Sequence, residues 1–374
     1  MNSIAARIDM KSLSPFARLP ILFFGMLALV IGVLSGLARL ALDVPLIAAA
    51  HAGTHGPLMI AAFLGTVISM ERAVAIARRW PYLAPLCAGL GGLALLLGFP
   101  MITAHALFIA AATILFCGSG LILRQQPAPH TATLALGALS WLIGNLLWYT
   151  SGAVALAVPW WIAFLVLTIA GERLELTRFL PTPPSARRVF AALVALMLTG
   201  LASSYWDMEF GLRLFAATLL ALALWLLRHD IARRTVRQSG LTRYIAICLL
   251  SGYVWLALSG LLGMAGGFSP GSPLRDATLH AVFLGFVVSM IFGHAPIIFP
   301  AVAKIRMPYH SAFYLPLAVL HASLLARAVG DLTGIILLTR AAGIANATAL
   351  LIFFLTVLVS VGRGKSRPDI KENR

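Results

Sequence analysis

Charge is what this chain has least of. Only 11% of its 374 residues are Asp, Glu, Lys or Arg, and only 12 are acidic. Soluble domains carry about a quarter charged residues, so a soluble globule of this size is excluded. Cysteine is nearly absent as well. Cys87, Cys117 and Cys248 stand singly in apolar runs and form no CxxC pair. That pattern excludes a disulfide framework and a zinc knuckle, and each thiol reads as a small buried apolar residue. Long polar stretches are also missing: only the two termini and residues 173–187 qualify. The chain therefore reads as a single transmembrane domain, 1–374. Its first apolar run lacks a small-residue cleavage site and belongs to the repeat described below, so it is expected to be a retained span and not a signal peptide.

What is present in quantity is apolar surface. Hydrophobic residues make up 60% of the chain, and mean hydropathy is +0.95. Runs of about 20 apolar residues cross a ~30 Å hydrocarbon core, and without water there they close their own hydrogen bonds as helices. The fold class expected is all-α integral membrane. Twelve spans are predicted, near 20–38, 54–77, 82–101, 104–123, 132–151, 155–172, 188–205, 211–228, 243–263, 276–299, 311–329 and 338–361.

A net charge of +16 would suggest nucleic acid if its distribution were ignored. With the N-terminus in the cytoplasm and sides alternating, only Arg39, Arg213, Arg275, Arg327 and Arg340 of the 28 Lys and Arg fall outside. That asymmetry is the positive-inside rule. The basic excess is thus a topology signal, helped by anionic lipid, and the partner it indicates is a lipid bilayer, not nucleic acid. The expected location is a bacterial inner (cytoplasmic) membrane, with both termini cytoplasmic.

One sequence is written three times. Phe63-Leu-Gly-Thr-Val-Ile-Ser-Met70 recurs as Phe283-Leu-Gly-Phe-Val-Val-Ser-Met290, with a weaker copy at Phe164-Leu-Val-Leu-Thr-Ile-Ala-Gly171. The first and middle copies run on into Glu71-Arg72 and Glu172-Arg173. These copies fall on spans two, six and ten, which divides the chain into three four-helix units, near 1–130, 131–235 and 236–374. Val33-Leu-Ser-Gly-Leu37 and Ala257-Leu-Ser-Gly-Leu261 extend the match to spans one and nine. Gly65, Gly144 and Gly285 suit close helix approach.

Two copies carry a histidine near their start. His51-Ala-Gly-Thr-His55-Gly-Pro-Leu-Met59 opens span two, with Pro57 tolerated in a first turn and Thr54 placed to cap it. His280 lies in the opening turns of span ten. Both spans run from outside to inside, so His55 and His280 are expected at matched depth near the outer face, with His51 just beyond. Neutral imidazole ligates haem iron or copper; an interfacial histidine bonding a neighbouring carbonyl is the structural alternative. Arg39 and Arg275 flank the two helices, where guanidiniums can pair with haem propionates or with lipid headgroups. His294 lies about 21 Å beyond His280 at ~1.5 Å per residue, too far to share its metal, and reads as a polar cap. His321 is expected either to pair with a polar neighbour or to form a second site. His105 is expected in an outer turn, and His130, His229 and His310 in cytoplasmic loops, where solvent exposure is the default. Glu71-Arg72 and Glu172-Arg173 read as structural ion pairs at helix ends, Asn145 and Asn346 as helix-to-helix hydrogen bonders. Trp160 and Trp161 read as an interfacial belt or as a pocket wall.

Two resemblances follow. His55-Gly-Pro-Leu-Met59 resembles the His-Gly-x-x-Met of the haem–copper oxidase catalytic subunit, whose low-spin haem is held by that histidine and by one on helix ten of a twelve-helix, three-arc fold. His280 is similar in placement. His280-Ala-Val-Phe-Leu-Gly-Phe-Val-Val-Ser-Met290 resembles the His-Ala-x-x-x-Gly-x-x-x-Ser/Thr-Met of the NnrS family, twelve-span haem- and copper-associated bacterial proteins linked to nitric oxide stress. That family also carries paired histidines on its second span. There are departures: Thr278 replaces the second oxidase histidine on helix ten, span six has Val158-Pro159-Trp160 where His-Pro-Glu-x-Tyr would stand, span seven has no His-His pair, and His51 and His55 are spaced one turn apart where the NnrS pair is His-x-His. Oxygen reduction to water is not expected.

The resemblance implies haem of the b type, with His55 and His280 as axial ligands, Arg39 and Arg275 near the propionates, and His51 as alternate ligand or a copper site. It implies a role in the nitric oxide or nitrosative-stress response or in electron transfer, with nitric oxide or another diatomic as ligand. The competing classes are a secondary transporter, which would show two inverted halves, and a copper-binding membrane protein without haem, using His51, His55, Met59 and His280.

Overall fold

The computed structural model describes residues 12–177 and 183–365, and every element among them is helical. Of the basic residues assigned to the cytoplasm, Arg7, Lys11, Arg178, Arg367, Lys371 and Arg374 lie outside the described residues. Eleven helices are long and apolar enough to cross a membrane: α1 Pro15–Arg39, α2 Ala52–Ile76, α4 Met101–Gln125, α5 Pro129–Ser151, α6 Val154–Thr177, α7 Pro184–Ser203, α8 Met208–His229, α9 Gly240–Gly267, α10 Arg275–Ala303, α11 Ser311–Thr333 and α12 Ile336–Gly364. The third predicted span is a shorter apolar helix, α3, Trp80–Leu96. The sequence reading carried it to residue 101; the helix stops because Gly98 adopts a positive φ of 70° and Pro100 follows.

Local chemistry sets the other ends. Ser14 caps α1 and Asp207 caps α8, each side chain accepting from a backbone N–H of the first turn. Gly152 and Gly334 take the left-handed conformation that ends α5 and α11. Thr54 does not cap α2 as expected. Its hydroxyl turns back to the His51 carbonyl at 3.1 Å, and the helix begins with a 3-10 turn at Ala52.

The three helices that share the repeated sequence meet one another: α2 touches α6, α6 touches α10, and α10 touches α2. Each also packs on the helix before it in the chain through a glycine–tryptophan or glycine–threonine contact. A Cβ on Gly25 of α1 would lie 3.1 Å from Thr66 of α2; a Cβ on Gly144 of α5 would lie 2.7 Å from Trp161 of α6; and Gly285 of α10 faces the Trp255 ring of α9. Gly65 lies against Trp141, which stacks on Phe164 with ring centroids 5.0 Å apart. In hydrocarbon, helix association rests on such close packing, since apolar burial gives little. Trp161 is fully buried and donates its indole N–H to Asn145 Oδ1 at 3.0 Å, while Asn145 Nδ2 donates to the Phe108 carbonyl at 3.1 Å. That corrects the interfacial reading of Trp161 and supports the hydrogen-bonding reading of Asn145. Asn346 likewise donates to Ser323 Oγ at 2.6 Å.

The chain closes on itself. Arg18 of α1 donates to the Val302 carbonyl at the end of α10 at 2.8 Å, and Arg340 of α12 donates to the Leu40 carbonyl at 2.8 Å. The first helix is therefore tied to both α10 and α12, and the central trio is enclosed.

Candidate functional site

His55 and His280 lie in the opening turns of α2 and α10, at the same end of the central trio. The two imidazoles interact electrostatically with each other, and His55 also with Arg39 and Arg327. Arg275 interacts with Arg39 in turn. The fold thus gathers His55, His280, Arg39 and Arg275, which come from α1, α2 and α10 and are as much as 241 residues apart in sequence (39 to 280).

Each imidazole is oriented in the same way. His55 Nδ1 lies 2.7 Å from the Gly32 carbonyl on α1. His280 Nδ1 lies 2.9 Å from the Asp276 carbonyl, with the Asp276 carboxylate at 3.3 Å. A carbonyl can only accept, so in both rings Nδ1 carries a proton, and in the neutral imidazole Nε2 then keeps its lone pair. This is the tautomer of a metal-ligating histidine whose other nitrogen is held by an outer partner. Gly36 makes the approach possible: a Cβ there would lie 2.8 Å from His55 Cε1. The matching glycine of span nine, Gly260, packs on Leu220 of α8 instead, so the Leu-Ser-Gly repeat gave no signal for this contact. Its serines also act alike, Ser35 donating to the Ala48 carbonyl and Ser259 to the Thr278 carbonyl, each at 2.9 Å.

Both histidines are followed by a stretch of π-helix, Leu58–Leu64 in α2 and Ala281–Val288 in α10. The middle copy of the repeat, on α6, is uninterrupted α-helix. A third π-helical stretch, Gly263–Gly267, closes α9 and carries no histidine. Single π segments inside α-helices are concentrated at functional sites.

Among the described residues, no group of three or more His, Cys, Asp or Glu is arranged to hold a metal ion. His51 ends the short helix Leu46–Ala50 and meets only the Thr54 hydroxyl, at 3.4 Å from Nδ1. Two imidazoles offering Nε2 suit haem in particular, because the porphyrin fills the four equatorial positions of iron itself. The Nε2 atoms of His55 and His280 fit that group.

Residues 18–362 match a family described as a domain of unknown function, DUF8744. The chain belongs to the DUF8744 family. No curated protein matches it.

The histidine-bearing end of this DUF8744 chain holds one residue that sequence reasoning passed over. Arg327 of α11 donates to Asp276 Oδ2 from Nη2 at 2.8 Å and from Nε at 3.1 Å. It thereby fixes the carboxylate that stands beside His280. Asp331 follows 4.0 Å from Arg327 and accepts from Thr339 at 3.0 Å. The sequence signal was only that Arg327 is one of five outer cations. Arg275 donates to the Phe268 carbonyl, and the exposed Arg39 lines a cleft of about 350 Å³ together with Asp331, Thr339 and Arg340.

The remaining histidines are structural or lie elsewhere. His321 accepts from the Trp255 indole at 2.9 Å and faces Ser251 Oγ at 3.0 Å, so both ring nitrogens are satisfied and the pairing alternative holds. His130 is buried, against expectation, and His105 is buried within α4 and not in a turn. His105 sits edge-on to Trp148 with ring centroids 4.4 Å apart, and His130 lies within the first turn of α5. His294 is no helix cap, because α10 continues to Ala303.

Proposed function

We propose that this protein binds haem b between His55 and His280, near the outer face of a bacterial inner membrane, and serves in the nitric oxide or nitrosative-stress response. The observation that carries the reading is the matched tautomer: on two repeat-related helices, Nδ1–H is committed to a carbonyl and Nε2 is left free. Arg39 and Arg275, with Arg327 behind them, supply the positive charge that two propionates require. The NnrS-like run at His280 supports the choice of nitric oxide as ligand, and the missing oxidase residues argue against oxygen reduction. Haem held at this pair supplies one-electron chemistry, or a diatomic-binding position when one histidine stands off. His51, one turn before His55, is the alternate ligand or a copper ligand. The chain's own part is to fix both rings, hold the propionate charge and exclude water with packed helices. A visible spectrum of the purified protein is expected to show a Soret band that shifts on reduction and on exposure to nitric oxide; a colourless protein after haem loading would sink the proposal.

Twelve crossings and three pseudo-symmetric units belong to the same proposal. α3 is short, but 14 α-helical residues after a three-residue 3-10 turn reach about 27 Å at ~1.5 and ~2.0 Å per residue. That nearly spans the core. If α3 failed to cross, Arg187, Arg188 and the run Arg228–Arg243 would be placed outside, against the positive-inside rule. The mutual contact of α2, α6 and α10 supports a pseudo-threefold axis. Reporter fusions after Arg374 and within residues 266–275 are expected to report opposite compartments, cytoplasmic and external; the same compartment for both would reject twelve crossings.

A further inference from the structure

At the histidine-bearing end of the bundle, the end of α1, the turn after α11 and the start of α12 enclose a cleft of about 350 Å³. That is the low end of the ~300–1,000 Å³ range of small-molecule sites. Its walls carry both signs of charge: Arg39 and Arg340 against Asp331. Arg340 donates from Nε to the Leu40 carbonyl at 2.8 Å, which sets its guanidinium at the end of α1, close to the exposed Arg39. Ile336 opens α12 in the same wall. The first N–H groups of a helix have no intrahelical partner and lie at the positive end of its dipole. Two guanidiniums beside such a helix start suit a phosphate group.

Asp331 has the opposite need. Its side chain is 8% exposed. Oδ1 accepts from the Thr339 hydroxyl at 3.0 Å, and Oδ2 has no hydrogen-bond partner among the described residues. Arg327 does not supply one. Both of its bonds go to Asp276, at 2.8 and 3.1 Å, and its Nε stands 4.0 Å from Asp331 Oδ2, beyond hydrogen-bond reach. One guanidinium thus lies between two carboxylates, and one negative charge is left over. A half-paired carboxylate inside a membrane protein is costly, and a cation with N–H donors in the cleft offsets it.

The surroundings of the cleft are apolar. Ile336 and Leu337 are 67% and 78% exposed, and the exposed Leu325, Val329 and Leu332, spaced by four and three residues, form one stripe of α11 towards the same end. We propose that the cleft binds the headgroup of phosphatidylethanolamine, with the phosphate on Arg39 and Arg340, the ammonium at Asp331 and the acyl chains along α11. A soluble phosphate makes no use of the stripe. Phosphatidylglycerol brings no cation to Asp331, and phosphatidylcholine brings one without N–H donors. The bound headgroup links the end of α1 to the α11–α12 turn. The site does not rest on the haem reading, with which it shares only Arg39.

The test titrates the delipidated full chain, in detergent, with phosphatidylethanolamine, phosphatidylglycerol or phosphatidylcholine of identical acyl chains, and follows bound lipid by native mass spectrometry and Tm in parallel. Expected is saturable retention of phosphatidylethanolamine with a rise in Tm, and binding about tenfold or more weaker for the other two, the loss of one charge-assisted bond. Free phosphoethanolamine should bind more weakly still; binding equal to that of the lipid would overturn the lipid assignment. Arg340→Gln should weaken retention about tenfold, whereas Arg213→Gln, at an exposed arginine paired with Glu209, should leave it unchanged. Asp331→Asn keeps an oxygen for Thr339 and should erase the preference for phosphatidylethanolamine over phosphatidylcholine. If Arg340→Gln does not fold, Arg39→Gln takes its place. Equal retention of the three lipids, a preference for phosphatidylglycerol, or unchanged selectivity in Asp331→Asn overturns the proposal.

Discussion

Replacing His280 by Ala is expected to abolish the Soret band of the haem-loaded protein, and replacing His55 by Ala to abolish it or shift it to a five-coordinate form. Each change removes an Nε2 lone pair that its neighbours have set in place, and neither His294 nor His321 can substitute. His294 lies 14 residues down α10 from His280, and His321 has both nitrogens bonded within the protein. Of the two, His280 is expected to be the firmer ligand of the proposed haem. Its Nδ1–H meets a carbonyl and a carboxylate, which raises the donor strength of Nε2, whereas His55 meets a carbonyl alone. Optical titration with haem checks this, with His229→Ala on the opposite side as the unaffected control. His51→Ala should keep the Soret band, and loss of bound copper in that variant would assign it to a separate metal. Full wild-type spectra in both His55→Ala and His280→Ala would show that the two rings are structural.

Replacing Asp276 by Ala is the second change with a large consequence. Arg327 is held at 9% side-chain exposure and places both of its bonds on Asp276 Oδ2. Without that oxygen the guanidinium keeps only Asp331, at 4.0 Å. A hydrogen bond to a charged group contributes about 1.5–3 kcal/mol, and the lower part of that range applies because Asp276 is 43% exposed. Thermal denaturation should register a clear fall in Tm, and Asp276→Asn should recover part of it. The same substitution removes the carboxylate beside His280 Nδ1, so the bound haem should be easier to reduce, with a higher midpoint potential. A fall in Tm with no change in potential would confine Asp276 to a structural part and leave His280 tuned by its carbonyl alone.

The sequence by itself determined the class of protein and the ends of its helices. Membrane spans are legible because hydrocarbon leaves the backbone no partner but its own helix, so apolar length alone marks the element. Ser14, Asp207, Gly152 and Gly334 set their helix ends through local hydrogen bonds and backbone conformation that need no distant partner. The repeated sequence also pointed to α2, α6 and α10, and each of them packs on the helix before it in the chain through a glycine that admits a tryptophan or a threonine; that the three meet one another was decided by the packed bundle. Other features depended on which helix lies next to which, and composition carries no trace of that. The Gly32 carbonyl that sets the His55 tautomer is 23 residues away, and the Arg327 that anchors Asp276 is 51 residues away. Trp161 looked interfacial because aromatic pairs near a span end usually are; Asn145 on the neighbouring helix gave its indole a partner and drew it into the core. Burial of His105 and His130 was decided in the same way. A side chain's partners are a property of the packed bundle, and the chain order shows only which partners were available.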